Sequence, residues 1–304
     1  MLKILAYGKS FVTKYCLPVL LIVVVSCHSS CASKQTVSTI AEITMSDDWD
    51  PPQRVPLPLD ATAWPDGAKI SPDGNVLYFS LGRDRNVAAC SSTRTADGWS
   101  VPTPLPINLQ SFPTGAPHTQ DGKALYFSSI RPGGFGEGDI YVCENRNGKW
   151  TNPVNLGPPV NTKYMESEQF ISADGNTLYF ASTRPGGKGG VDIWMSEKTA
   201  GKWSEPSNLG EPVNTKQDET QPFVTADGAE LYFMAMNRNH IPGPAIFRSL
   251  RHGQKWGEPT VVASGFVGQP SLTADKEYLY FVHINHKGEE LVSAEIVVAR
   301  KRHK

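Results

Sequence analysis

A fivefold internal repeat limits this chain more than any other feature. An Asp stands four residues before a Leu-Tyr-Phe triplet in five places: Asp73, Asp121, Asp174, Asp227 and Asp275. The triplets begin at Leu77, Leu125, Leu178, Leu231 and Leu279, and the aspartates are 48, 53, 53 and 48 residues apart. A second pattern, Trp-x-x-Pro, interleaves with the first and also occurs five times, starting at Trp49, Trp99, Trp150, Trp203 and Trp256. A period near 50 residues marks a supersecondary unit that covers its apolar faces only by stacking on its neighbours.

Each unit reads as four short strands. An approach strand such as 221–225 enters an Asp-Gly turn, whose Gly supplies the positive φ of a tight hairpin. Leu-Tyr-Phe is the second strand. Its side chains alternate faces and are all large and apolar, so both faces of the sheet must be covered. A Gly-rich loop leads to the third strand (Asp139-Ile140-Tyr141-Val142, Asp192-Ile193-Trp194-Met195). The fourth begins at the Trp and is expected to stop near the Pro, which an outer edge tolerates. The predicted fold is all-β, a five-bladed β-propeller with four-stranded blades. The body opens with Trp49 to Pro52, a fourth-strand signal without strands of its own, and closes on three strands ending at Ile296-Val297-Val298. The first segment therefore completes the last blade, an N-terminal velcro closure that removes two free sheet edges.

Residues 1–26 stand apart. Lys3, Lys9 and Lys14 precede an apolar run over 17–25 that is short for a bilayer span, the pattern of a secretory signal. Val24-Val25-Ser26-Cys27 resembles a lipobox, which implies lipidation at Cys27; an ordinary signal cut near Ala32 is the alternative. Residues 27–46, rich in Ser, Thr and Ala, read as a flexible tether, and 47–304 as a single propeller domain. Removing the leader's three lysines takes the formal charge from −1 to −4, so no basic surplus favours nucleic acid. The basic end Arg300-Lys301-Arg302-His303-Lys304 reads as a solvated tail. Cys90 and Cys143 occupy different repeat positions and read as two buried thiols.

The stretch from Ser172 to Pro206, with Asp174-Gly175, Leu178-Tyr179-Phe180, Arg184-Pro185-Gly186-Gly187 and Asp192-Ile193-Trp194, resembles the TolB-type WD-like propeller repeat. Thr119 to Pro153 is nearly as close. Blade one has Arg83-Asp84-Arg85 in place of Arg-Pro-Gly-Gly, blade four has Asn237-Arg238-Asn239, and blade five replaces the turn Gly with Lys276. The resemblance implies a bacterial lipoprotein of the cell envelope, periplasmic or outer-membrane associated, serving as a protein-interaction platform.

Two sets of polar residues are candidates for a site. Arg131 and Arg184 precede Asp139 and Asp192 by eight residues, which suits an Arg–Asp brace across the loop, or a ligand-facing arginine. Asn161-Thr162 is followed by Glu166 and Glu168, and Asn214-Thr215 by Asp218 and Glu219. Carboxylates converging on the channel would suit Ca²⁺ or sugar hydroxyls; solvated or amide-capping carboxylates are the alternative. No other cofactor is expected. His-Glu-x-x-His, Gly-x-Ser-x-Gly and Cys-x-x-Cys are missing, and His118 reads as a core histidine.

The sequence therefore points to a monomeric, non-catalytic scaffold held to the membrane by its lipid and binding an envelope protein or glycan. The competing reading is a glycoside hydrolase or lyase using Glu166, Glu168, Asp218 or Glu219 across a central pocket. Cys27→Ser is expected to move the protein into the soluble envelope fraction and abolish fatty-acid labelling. Labelling that persists at Cys31 contradicts the assignment.

Overall fold

The computed structural model of the protein describes residues 42–60, 63–82, 87–108, 114–119, 121–287 and 290–303. Cys27, the leader, most of the tether and Arg83-Asp84-Arg85 lie outside the described residues. Five antiparallel sheets form a ring, the arrangement of a five-bladed β-propeller. The innermost strands are Pro65–Ile70, Thr114–His118, Glu166–Ile171, Glu219–Val224 and Val267–Leu272.

The repeat residues hold this ring together in the way their types suggest. All five Leu and all five Phe of the triplets are fully buried. The intervening Tyr reaches the next blade: Tyr78 packs with Leu125 and Phe127, and Tyr126 with Leu178 and Phe180. Tyr179 and Tyr232 share a cluster with the triplets that follow them, and Tyr280 joins Leu77 and Phe79 of blade one, completing the circle. Each buried aromatic contributes about 2–3 kcal/mol of apolar burial. Four of the turn aspartates, Asp73, Asp174, Asp227 and Asp275, accept hydrogen bonds from a Ser or Thr two residues upstream, as Ser71 Oγ to Asp73 at 2.6 Å and Thr225 Oγ1 to Asp227 at 2.6 Å. Lys276 takes the left-handed conformation of the turn glycines (φ 61°). Its ammonium bonds Asp227 at 2.6 Å and Glu230 at 2.8 Å in blade four, which offsets the backbone strain of a non-Gly residue there.

The outer strand differs from expectation. It does not end at the Pro but is interrupted there and resumes: Trp150 pairs with Asn145, and Val154 with Val142. Proline has no N–H to continue the ladder, and side-chain hydroxyls fill the gap, as Ser92 Oγ to Ser100 O at 2.6 Å and Ser100 Oγ accepting from Thr93 N at 3.0 Å. In blades one, three and four the Trp stacks on a basic residue directly opposite, Arg94 over Trp99 at 4.8 Å, Lys198 over Trp203 at 5.4 Å and Arg251 over Trp256 at 5.6 Å.

Closure follows the same pattern across the ends of the chain. Gln53 and Arg54 pair with Val298 and Val297, and Trp49 bridges Lys301. Lys301 thus stands where Arg94, Lys198 and Arg251 stand in their blades, so 300–302 are bound to the start of the ring where a solvated tail was expected, and Lys304 lies outside the described residues. Arg302 N donates to Asp48 O at 2.8 Å, and Arg302 Nε to Asp50 at 2.9 Å. Thr44–Met45, expected in the tether, adds to the outer edge of blade four opposite Ser264 and Ala263. Cys90 and Cys143 are buried and free, and burial pushes both thiols up to about 11. Trp49→Ala is expected to cost about 3–5 kcal/mol, read from urea unfolding. A loss within error of zero contradicts the closure.

Candidate functional site: connectors and ring axis

The connectors between blades and the loops inside them gather on one face. Asn108, Asn161 and Asn214 close each connector by clasping a backbone amide and carbonyl of the preceding third strand. Asn161 accepts from Ile140 N at 2.9 Å and donates to Ile140 O at 2.8 Å; Asn108 and Asn214 do the same with Ala89 and Ile193. The Thr that follows donates twice to a Glu four residues on. Thr162 N and Oγ1 reach Glu166 at 2.7 Å each, and Thr215 N and Oγ1 reach Glu219 at 2.8 and 2.6 Å. Ser182 Oγ (3.0 Å) and Arg184 (3.1 Å) complete the Glu166 shell. Both carboxylates are buried and fully engaged by the chain.

The arginines brace connectors instead of pairing with the aspartates. Arg184 lies over Phe180 and Trp194 and donates to Ser182 Oγ, Pro159 O and Val160 O. Arg131 lies over Phe127 and Tyr141 and donates to Ile107 O at 2.9 Å. Arg238 does the same with Phe233, Phe247, Pro212 O and Val213 O, although the Pro-Gly-Gly around it is lost. Asp192 accepts Lys188 N at 2.8 Å and Gly189 N at 3.2 Å, and Asp139 accepts Phe135 N at 2.7 Å. The expected Arg–Asp brace is therefore replaced by two separate clasps. The reason is the glycines: a Cβ on Gly134 or Gly187 would overlap the aspartate carboxylate, so its oxygens settle against loop amides. Gly136 and Gly189 press equally closely on the next connector's carbonyls. Asp218 caps the loop of blade three, accepting Gly190 N at 3.1 Å and Val191 N at 3.0 Å.

Glu166, Glu219 and Asp218 thus serve three separate local networks, and Glu168 belongs to another region, the ring axis. Every innermost strand carries a bulge at the same register. Gly67, Glu168, Gln221 and Gln269 occupy it with φ of 68°, 51°, 57° and 59°. For the three non-glycines this costs on the order of 1 kcal/mol each. Hydrogen bonds between blades offset it: Gln269 N to Gln221 Oε1 at 2.8 Å, Gly67 N to Gln269 Oε1 at 2.5 Å, and Gln269 Nε2 to Asp66 at 2.5 Å. Lys69, buried in the same region, donates to Pro270 O at 3.3 Å and interacts electrostatically with Glu168 and Asp66. Burial raises Asp66 to about 6, and burial together with the Asp66 charge raises Glu168 to about 8. Toward the turn face His118 stacks on Phe170 at 4.6 Å and Phe170 meets Phe223 at 4.9 Å. Burial, aided by Lys69, pushes His118 down to about 3, so it is a neutral core group.

Sequence reasoning missed Asp66, Lys69, Gln221 and Gln269. A recurring proline one residue after the bulge position (Pro117, Pro222, Pro270) was the available signal for it. Among the described residues, no three of His, Cys, Asp or Glu come together to hold a metal ion. An open cleft on the connector face adjoins blade four, lined by Glu211, Thr215, Lys216, Gln217, Asn239 and Glu258 among others, with no aromatic ring. Beside it Asn237, Asn239 and His240 all have left-handed backbones (φ 49°, 52° and 64°).

No family model matches the sequence, and no curated protein matches it. Solved structures share the fold. The α-L-arabinofuranosidase PaAbf62A from Podospora anserina is 11% identical with a TM-score of 0.54, covering 84% of this chain and 97% of that one. The GH43 endo-arabinanase from Bacillus licheniformis is 15% identical with a TM-score of 0.51, covering 80% and 95%. TolB from Acinetobacter baumannii is 12% identical with a TM-score of 0.47 over 77% of this chain; the chain spans 54% of that protein. At such identities the first two likenesses show the fold alone, and the five-bladed count rests on this chain's own sheets.

Blade four offers a direct test of the connector carboxylates. Ala235 stands opposite Glu219 where Ser182 stands opposite Glu166, so Glu219 lacks the hydroxyl donor. Burial raises Glu219 to about 7 despite Thr215 and Arg238. Its folded pKa lies above the ordinary carboxylate value, so the folded state holds the extra proton between about 4.5 and 7. Stability from this group therefore falls as pH rises through that window. Glu219→Gln is expected to flatten that part of the pH profile in urea unfolding. An unchanged slope contradicts the assignment.

Proposed function

We propose that the protein is a non-catalytic scaffold, anchored through a lipid at Cys27 in the bacterial envelope, whose connector face receives an envelope protein. The observation that carries this reading is the employment of its carboxylates. Glu166, Glu219 and Asp218 accept bonds from their own chain, and Asp66 and Glu168 are 6% and 3% exposed. A general acid or nucleophile must reach substrate; Glu166, Glu168, Glu219 and Asp66 are buried, and Asp218 is held by loop amides. The blade-four cleft supports a protein partner over a glycan, since it carries both charge signs and lacks the aromatic platform that sugar rings favour.

The hydrolase reading has one observation in its favour, the raised Asp66 and Glu168 at the axis, because perturbed carboxylates cluster at catalytic centres. Burial is the largest cause of both shifts, and the His118–Phe170–Phe223 arc lies beside them, so burial is the simpler reading. Purified protein screened against envelope polysaccharides and chromogenic glycosides is expected to give no turnover. Turnover that disappears in Glu166→Gln, Glu168→Gln or Glu219→Gln overturns the scaffold reading. In an envelope pull-down, Gln217→Arg with Lys216→Glu is expected to lose at least tenfold of the captured partner while retaining the wild-type melting temperature.

A further inference from the structure

Most large apolar side chains of this ring are buried, and Phe135 on the connector face is not. It is 52% exposed and, among the described residues, the one exposed phenylalanine. It sits in the glycine loop of blade two, Pro132 to Gly138, where blade three has Lys188. The connectors that follow differ in step. Lys188 meets Glu211 at 3.6 Å. In blade two Pro158 stands where Glu211 stands, and the Phe135 ring lies against Gly157, 3.9 Å from where a Cβ would be.

A single exposed apolar residue is ordinary; what sets this one apart is how firmly its loop is held. Phe135 N donates to Asp139 at 2.7 Å, and a Cβ on Gly134 would overlap that carboxylate. On the other side a Cβ on Gly136 would overlap the Thr162 and Tyr164 carbonyls, and Gly138 O accepts Glu166 N at 2.8 Å. The loop is clasped before and after Phe135, so the ring cannot turn inward without breaking these contacts. Gly157 has no side chain with which to cover it. The same connector carries Tyr164, half-buried, with the Lys163 ammonium over its ring at 5.2 Å. An aromatic ring presented on a fixed loop loses little freedom when a partner buries it, which is the property of an interface anchor.

We propose that Phe135 is the anchor of the connector face, seated in an apolar pocket of a protein partner whose charged rim meets the blade-four cleft. This rests on the scaffold reading above and adds the residue that carries most of the binding. The two features lie at successive junctions of one face, Phe135 between blades two and three and the cleft between blades three and four. An apolar centre beside a polar, charged margin is the make-up of a protein interface. A second copy of this chain would need an apolar pocket of its own. The hollow on the turn face ringed by Ile70, Pro72, Phe223 and Leu272 measures about 20 Å³, room for a water molecule and not for a phenyl ring. An anionic lipid surface would be opposed by Glu137, exposed in the same loop, and by exposed Glu211 and Glu258.

The experiment places the photo-cross-linker p-benzoylphenylalanine at position 135 of the full chain in its own cells. Val101 and Tyr278, 71% and 40% exposed and off the connector face, serve as control positions. Position 135 is expected to give one discrete adduct with another protein, absent at both controls, whose cross-linked peptide maps to an apolar pocket. Against that protein in purified form, Phe135→Asp is expected to weaken binding about tenfold or more, and Phe135→Tyr less than about threefold. Both variants are expected to melt with the wild type. Adducts with a second copy of this chain, with lipid or with glycan overturn the proposal, as do adducts shared with the control positions. A Phe135→Asp protein that melts lower also overturns it, because the ring would then serve the fold. A partner that binds Phe135→Asp fully but is lost with Gln217→Arg and Lys216→Glu removes this inference alone and leaves the scaffold reading standing. No adduct at position 135 and no partner captured by the wild type removes both.

Discussion

The constraint on which the structure depends is that each blade is apolar on both faces. A sheet carrying Leu and Phe on one side and Tyr on the other has no face to show to water, so every blade needs a neighbour on both sides. An open stack would leave two faces bare, and only a ring covers all of them. Tyr280 against Leu77 and Phe79 is the joint where the end of the chain meets its beginning. Velcro pairing of Gln53 and Arg54 with Val298 and Val297 fixes it, together with the Trp49–Lys301 bridge. On the axis the same joint is sewn by Gln269 to Asp66 and Gly67, and by Lys69 to Pro270.

Polar residues in this molecule mostly solve problems created by that geometry. Irregular connectors run close to the core, where their backbone groups cannot reach water, and each needs a partner. The Asn clasps, the Thr–Glu pairs and the arginines over aromatic rings supply those partners at the same place in successive blades. A residue type that recurs with the repeat is then first a structural device, and the departures deserve the functional reading. Blade four keeps the clasps but departs around them: Ala235 replaces the serine, Asn237 to His240 replace the glycine loop, and an open cleft adjoins them.

Much of the fold was legible because its signals are local. Asp-Gly, Leu-Tyr-Phe and Trp-x-x-Pro each specify a turn, a doubly buried strand and an edge within a few residues, and their order revealed the closure. What was not legible depended on contacts far apart in sequence. Lys301 looked like tail until its partner Trp49 arrived from the other end of the chain. Arg184 and Asp192 were eight residues apart and looked like a pair, but Glu166 and the loop amides were better placed. The axial group was hidden by the bulge, which breaks the two-residue alternation on which a strand reading rests. Of the four candidate carboxylates, three proved to be connector devices, and only Glu168 reaches the axis.

Amide hydrogen exchange at the seam tests the closed ring most directly. Val55 N donates to Ile296 O at 2.9 Å, Asp50 N to Arg300 O at 2.8 Å and Arg302 N to Asp48 O at 2.8 Å, all between opposite ends of the chain. If closure is part of one cooperative unit, these amides exchange only with global unfolding, as slowly as the central strand amides of Phe127 and Phe180. Exchange of the seam amides many-fold faster, through an opening that leaves the central strands protected, would contradict the account.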